Sequence, residues 1–186
     1  MRIIAGVARG RRFDAPTGMD TRPTLDRVKE SMFGMIQFDV PDSAVLDLFS
    51  GSGNLGLEAA SRGARRVVCN DHSAVCAAQI RENAKKLGLD GVVQVMQQEF
   101  SSCIRMLAQQ GEGFDLVFLD APYADGTAQR AAEQLLAAGL LLPEGKILLE
   151  HAPDLPPVVD RTLASAVITR RYGACAVTIL KGTQTL

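Results

Sequence analysis

The residues best suited to chemistry cluster first in Leu46-Asp47-Leu48-Phe49-Ser50-Gly51-Ser52-Gly53-Asn54-Leu55-Gly56. Gly51, Gly53 and Gly56 satisfy G-x-G-x-x-G where an apolar strand pattern gives way to a helical one. Glycine lets backbone approach a ligand where a Cβ would intrude, and the N–H groups opening a helix attract negative charge. Alone, the loop suits a dinucleotide. Asp47 argues otherwise. A carboxylate at the end of the strand repels a pyrophosphate and attracts an ammonium. S-adenosylmethionine carries an ammonium, a sulfonium and no phosphate, so Asp47 favours a methyl donor. A strand-end aspartate can also serve only to cap backbone amides.

Asp71 follows the next apolar run, twenty residues after Gly51, where an acid can accept from ribose hydroxyls. It is equally placed to cap the following helix. Glu99 follows the third strand pattern, where an adenine would lie, or is an ordinary surface carboxylate. Asp120-Ala121-Pro122-Tyr123 closes the fourth strand pattern. Proline stiffens the turn. The Asp120 carboxylate and the Ala121 carbonyl then form two acceptors that can hold both N–H groups of an exocyclic amine. Tyr123 offers a ring for a flipped base, a stacking contact of roughly 1–3 kcal/mol. Taken alone, the segment reads first as a plain strand-to-loop turn; paired with the Asp47–Gly53 loop on the same sheet, it reads as a site.

These residues need a sheet to bring them together. From residue 44, apolar runs alternate with helical patterns: strands at 44–49, 66–70, 92–96, 114–120 and 146–150, and helices at 54–62, 73–87, near 100–110 and at 127–138. Two closing strands, 166–171 and 175–180, form a hairpin. Such alternation implies a mostly parallel sheet covered on both faces, with ligands beyond the carboxyl ends of its strands. Before it, the spacing of Leu25, Val28, Met32, Met35 and Ile36 predicts a helix, with Thr24 as its N-cap. Two domains are expected: a basic β-hairpin arm over 1–22 and a catalytic body over 23–186.

The chain has 186 residues and a net charge of -1, so it is no polycation, yet Arg2, Arg9, Arg11 and Arg12 fall in its first twelve residues without an acid among them. Such a local basic patch suits a phosphate-bearing partner, or is a solvated end. Cys69, Cys76, Cys103 and Cys175 form no CxxC pair, and His72 and His151 lack ligand spacing to them, so buried thiols are expected and a metal is not. No long apolar window and no signal core are found, which points away from membranes and toward the cytoplasm.

Beyond these local readings, nearly the whole chain resembles the RsmD family of 16S rRNA guanine-N2 methyltransferases, within the Rossmann-like class I methyltransferases. Arg2-Ile3-Ile4-Ala5-Gly6 with Arg9-Gly10-Arg11 is similar to the family's opening. Arg22-Pro23-Thr24 with Asp26-Arg27-Val28-Lys29-Glu30 resembles its second signature, and Asp47 to Gly53 with Leu55-Gly56-Leu57-Glu58-Ala59 its donor loop. The resemblance implies a seven-stranded sheet with a C-terminal antiparallel hairpin and S-adenosylmethionine as cosubstrate, leaving S-adenosylhomocysteine. It implies 16S rRNA or the assembling small ribosomal subunit as partner. Asp47, Gly51 and Gly53 then hold the donor's amino-acid end, Phe49 also binds the donor, and Asp71 and Glu99 lie near its ribose and adenine. Asp120 and the Ala121 carbonyl orient the target amine, Pro122 stiffens their turn, Tyr123 stacks, and Arg2, Arg9, Arg11 and Arg12 grip phosphates. Arg22, Thr24 and Arg27 lie on a segment covering the donor pocket.

Two positions depart from the family pattern. Ala121 stands where the family has a first proline, and Cys69 where it commonly has a glutamate. Without the resemblance, an adenine-N6 methyltransferase on DNA or RNA stays open. An RNA-binding assembly factor without catalysis also stays open, and an NAD-dependent enzyme is disfavoured by Asp47.

Overall fold

The computed structural model describes residues 1–16, 23–121, 126–158, 160, 162 and 164–183. Helix α1 (Pro23–Met35) precedes β1 (Ala44–Asp47), α2 (Asn54–Ser61), β2 (Arg66–Asn70), α3 (Ala74–Leu87) and β3 (Val93–Met96). There follow α4 (Phe100–Gln109), β4 (Phe114–Leu119), α5 (Thr127–Ala137), β5 (Leu141–His151), β6 (Ala164–Tyr172) and β7 (Cys175–Gly182). One seven-stranded sheet has the order β3-β2-β1-β4-β5-β7-β6. Its first five strands pair in parallel, and β7 pairs antiparallel with both β5 and β6. This is the mostly parallel, doubly covered sheet read from the alternation, with the C-terminal antiparallel hairpin and seven strands that the resemblance implies.

The β1 and β4 strands are buried almost throughout because helices cover both faces. One core joins α1, α2 and α3 to residues such as Val45, Val67, Phe118 and Val177. The other joins α4 and α5 to Leu46, Val68, Val117 and Leu180. Side chains alternate between these cores along each strand.

Several expected boundaries move. Helix α1 begins at Pro23, so Thr24 lies within it rather than capping it; proline fits a first turn, where its missing N–H has no partner to lose. Strand β5 starts at Leu141 rather than Lys146, because a bulge lets Leu141 pair with Phe114 before Lys146 pairs with Leu116. That bulge contains Pro143 and Glu144 at φ 66, a sequence that signals a turn and hides the strand on either side of it. Helix α3 is bounded as expected, by Ser73, whose hydroxyl accepts from the Cys76 N–H, and by Gly88 at φ 72.

The basic amino-terminal segment has one antiparallel bridge, Arg2 with Arg12, in place of two full strands. Ile3, Ala8 and Phe13 are buried in the same core as α1 to α3. Glu58 of α2, fully buried, accepts from the Ile4 and Ala5 N–H groups at 2.8 and 3.0 Å and pairs with Lys29 at 3.2 Å and Arg62 at 2.8 Å. Lys29 is equally buried and also donates to the Arg2 carbonyl and to Asn54 Oδ1. Gly6, at φ 85, passes so close to α2 that a Cβ would stand 1.7 Å from the Ser61 carbonyl oxygen. Residues 1–16 are thus tied to the body over their length.

Candidate active site

The carboxyl ends of β1, β2 and β4, with the loops after them, converge at one edge of the sheet. After Asp47 the chain turns through Gly51 at φ 54 and Gly53 at φ 85 into α2. Gly56 has no room for a Cβ, which would meet Cys69 Sγ at 2.4 Å and Asp47 Oδ2 at 3.2 Å. Close packing of α2 on β1 and β2 thus requires a glycine here.

Asp47 is buried, and its two oxygens do different things. Oδ2 accepts the Gly56 N–H at 2.8 Å in the first turn of α2. Oδ1 is buried with no hydrogen-bond partner among the described residues. Burial pushes this carboxyl up to about 7, against the bonds from Gly56 and Ser50, and Asp71 adds repulsion. A buried acceptor without a partner costs about 1–3 kcal/mol, more when charged, so it is kept where something else fills it. An ammonium group matches that oxygen in both charge and donor capacity. Amide capping and cation binding are therefore compatible, one on each oxygen.

Asp71 accepts from the Gly51 N–H at 2.9 Å through Oδ2 and from the Ser73 N–H at 2.9 Å through Oδ1. Ser73, not Asp71, is the N-cap of α3. Asn70 ties three strand ends together, donating to Leu48 O and Gln98 O and accepting from Gln98 N. Glu99 caps α4, accepting from the Ser101 and Ser102 N–H groups. Phe49 is half-buried against Phe100, ring centroids 5.6 Å apart. Cys69 is fully buried beside Gly56, and all four cysteines are buried free thiols.

Asp120 leaves β4 on the same face as Asp47. Its carboxyl is held well above the usual carboxylate range, by burial first, then by the negative charges of Glu150 and Asp47. Ala121 is buried; Pro122 and Tyr123 lie outside the described residues, as does Arg22. Sequence reasoning missed Glu150. It is the next-to-last residue of β5, Asp120 follows the last residue of β4, and because Leu119 pairs with Leu149, the two acids stand next to one another in the adjoining row. The signal was present as Leu148-Leu149-Glu150, an acid closing an apolar strand.

The amino-terminal arginines do not form one patch. Arg11 donates to the Lys86 and Leu87 carbonyls at the C-terminus of α3, a favourable end for a cation. Arg2 pairs with Asp26 at 3.2 Å. Arg9 and Arg12 are exposed and have no partner among the described residues. A cavity of about 220 Å³ opens at the opposite, amino edge of the sheet. Among its charged residues, Lys146 pairs with Asp39 at 2.7 Å and Arg65 with Asp115 at 3.3 Å.

Comparison with known proteins identifies the family. The family described as "Conserved hypothetical protein 95" matches residues 1–181. The chain belongs to this family, the RsmD family of rRNA methyltransferases. It is 35% identical to the Ribosomal RNA small subunit methyltransferase D of Escherichia coli over 85% of this chain and 79% of that protein. With the Haemophilus influenzae protein of the same name it shares 35% identity over 84% of this chain and 81% of that one. The solved structure of "Putative methyltransferase yhhF from Escherichia coli" superposes with a TM-score of 0.87 at 30% identity, covering 100% of this chain and 99% of that one. An RNA methyltransferase from Salinibacter ruber, solved with S-adenosyl-L-homocysteine, shares the fold at 18% identity and a TM-score of 0.67, over 90% and 96% of the two chains.

Proposed function

We propose that this RsmD-family enzyme transfers the methyl group of S-adenosylmethionine to the exocyclic N2 amine of a guanine in small-subunit rRNA, within the cytoplasm. The observation that carries the donor assignment is the buried, unpartnered Oδ1 of Asp47 at the mouth of a glycine loop. A pyrophosphate would be repelled there; an ammonium completes the site. The positive-φ turn at Gly51 and Gly53 brings backbone to the same place, with Phe49 beside it. Asp71 fixes the loop from below while keeping acceptor capacity for a ribose, since each carboxylate oxygen has two acceptor sites and one is used. Glu99 acts through the start of α4 near the adenine.

The bound donor supplies a methyl group made labile by sulfonium. The chain's residues orient and desolvate the acceptor. Asp120 and the Ala121 carbonyl accept the two N2 hydrogens, Pro122 stiffens their turn, and Tyr123 stacks on the base. Held this way, the amine directs its lone pair at the methyl carbon. As the N–C bond forms, the S–C pair returns to sulfur, leaving a neutral thioether. The amine becomes acidic once methylated, and Asp120, with its raised proton affinity, takes the released proton. Of the amino-terminal arginines, Arg9 and Arg12 are the ones available for phosphate; Arg2 and Arg11 hold the segment in place while adding to its positive field.

The test is tritiated methyl transfer from S-adenosylmethionine into under-methylated small subunits, followed by nucleoside analysis. N2-methylguanosine is the expected product. N6-methyladenosine would transfer the assignment to the other exocyclic amine, and absence of any transfer would leave only RNA binding.

A further inference from the structure

We propose that Arg170 and Arg171, on the outer strand β6, form a second RNA-backbone grip beside the target pocket. This rests on RNA being the substrate.

Strand β6 is antiparallel to β7, which is antiparallel to β5, so β6 runs with the parallel strands. Its last residues, Arg170 to Tyr172, therefore stand at the carboxyl edge, where Asp120 and Glu150 lie. The register is specific. Glu150 pairs with Val177, and Val177 pairs with Arg170. Asp120, Glu150, Val177 and Arg170 thus occupy one row across β4, β5, β7 and β6, on the face packed by α1. Three strand spacings separate Asp120 from Arg170, roughly 14 Å. Nucleotides adjoining an extruded base can lie along such a row.

Arg171 pairs with Ala176, so it projects from the opposite face. The two guanidinium groups straddle the sheet's edge. Both are exposed, and neither has a partner among the described residues, whereas Arg2, Arg62, Arg65 and Arg66 all have carboxylate partners. The strand end is fixed rather than loose, since the Tyr172 hydroxyl bonds to Ser31 Oγ of α1 at 2.5 Å.

Charge supplies the reason for a grip here. The carboxyl edge gathers the acids Asp47, Asp120 and Glu150, which repel a phosphate backbone to the extent that they are ionised. Cations along the same row offset that field. The amino-terminal segment reaches this edge only by its Arg2–Arg12 bridge, beside Ser52 and the start of α2, away from β5 to β6. Its turn at Val7 to Gly10 is held against Ser61, the last residue of α2, and Arg11 against the last residues of α3. Both helices run back from the carboxyl edge, so these contacts lie toward the sheet's other end. Charged residues on an edge strand also discourage strand pairing between molecules. Glutamate would serve that purpose equally well, and this separates the two roles.

The experiment compares the full-length wild-type chain with the R170E/R171E and R170K/R171K variants. RNA affinity is measured against salt with under-methylated small-subunit rRNA, and donor affinity by titration with S-adenosylmethionine. Two phosphate contacts on a single strand, at about 0.7 each, should lower the log–log salt slope by about 1.4 and weaken RNA binding about 25-fold at 0.1 M salt in the glutamate variant. The lysine variant should bind within a few-fold of wild type, and donor affinity and Tm should not move in either. Wild-type RNA affinity and slope in R170E/R171E, with wild type itself binding and methylating RNA, would overturn the grip and leave the methyltransferase assignment standing. Failure of the wild-type chain to bind the RNA at low salt would overturn both.

Discussion

Replacing Asp47 by asparagine separates the donor-binding role of its side chain from its structural one. Asparagine is isosteric, and its carbonyl oxygen can still accept the Gly56 N–H that Oδ2 accepts at 2.8 Å. Only the charge and the second acceptor, the unpartnered Oδ1, are removed. Losing a charge-assisted bond costs about 1.5–3 kcal/mol, so donor affinity at pH 7.5 should fall about 10- to 150-fold by calorimetric titration. The pH dependence is the sharper signature. Burial raises the Asp47 carboxyl to about 7, and only the ionised form holds an ammonium. Wild-type donor binding should weaken about fivefold from pH 7 to pH 6 and about tenfold per unit below that, while the variant stays flat. Stability should move oppositely. A carboxyl whose proton affinity is raised on folding favours the native state below its unfolded pKa of about 3.8, and that contribution is lost as pH rises to about 7. Three units correspond to about 4 kcal/mol at most. The donor-free variant at pH 7.5 should therefore melt several degrees above wild type. Donor affinity within twofold of wild type, together with wild-type binding flat between pH 5.5 and 7, would refute the reasoning.

Other outcomes follow from the same geometry. Asp120→Ala should abolish methyl transfer with donor affinity within a few-fold of wild type; measurable turnover at the wild-type rate would remove Asp120 from the reaction. Glu150→Gln removes the nearest charge that raises the Asp120 carboxyl, placed at about 8, so the alkaline-rising limb of kcat against pH should shift to lower pH, and an unmoved limb would exclude the coupling. Gly6→Ala places a Cβ 1.7 Å from the Ser61 carbonyl at φ 85 and should lower Tm by about 4–8 °C, checked by calorimetry. Glu58→Ala strands the buried Lys29 ammonium and should cost about 3–5 kcal/mol in denaturant titration; a change below 1 kcal/mol would show that Lys29 finds another partner.

The strand–helix alternation was legible in the residue pattern, and with it the edge of the sheet where the strand-ending acids gather. The period-2 and period-3.6 patterns, the glycines of the loop and the strand-ending acids are local features, so Asp47, Gly51, Gly53 and Asp120 were legible before any packing was known. Sequence could not show that Asp47 divides its oxygens between Gly56 and an open position, because that depends on how closely α2 approaches β1. Nor could it show that Arg11 is used by α3, since the carbonyls it meets lie more than seventy residues away. The basic start suggested an arm over 1–22, of which 17–22 lie outside the described residues. Only packing shows that Glu58 and Ser61 hold residues 4–8 against α2, because a buried carboxylate must be paired and the Ile4 and Ala5 amides and Lys29 are what pair it. Glu150 and Arg170 gained their places only from strand order, which brings residues 120, 150, 177 and 170 into one row though no interval in the chain announces it.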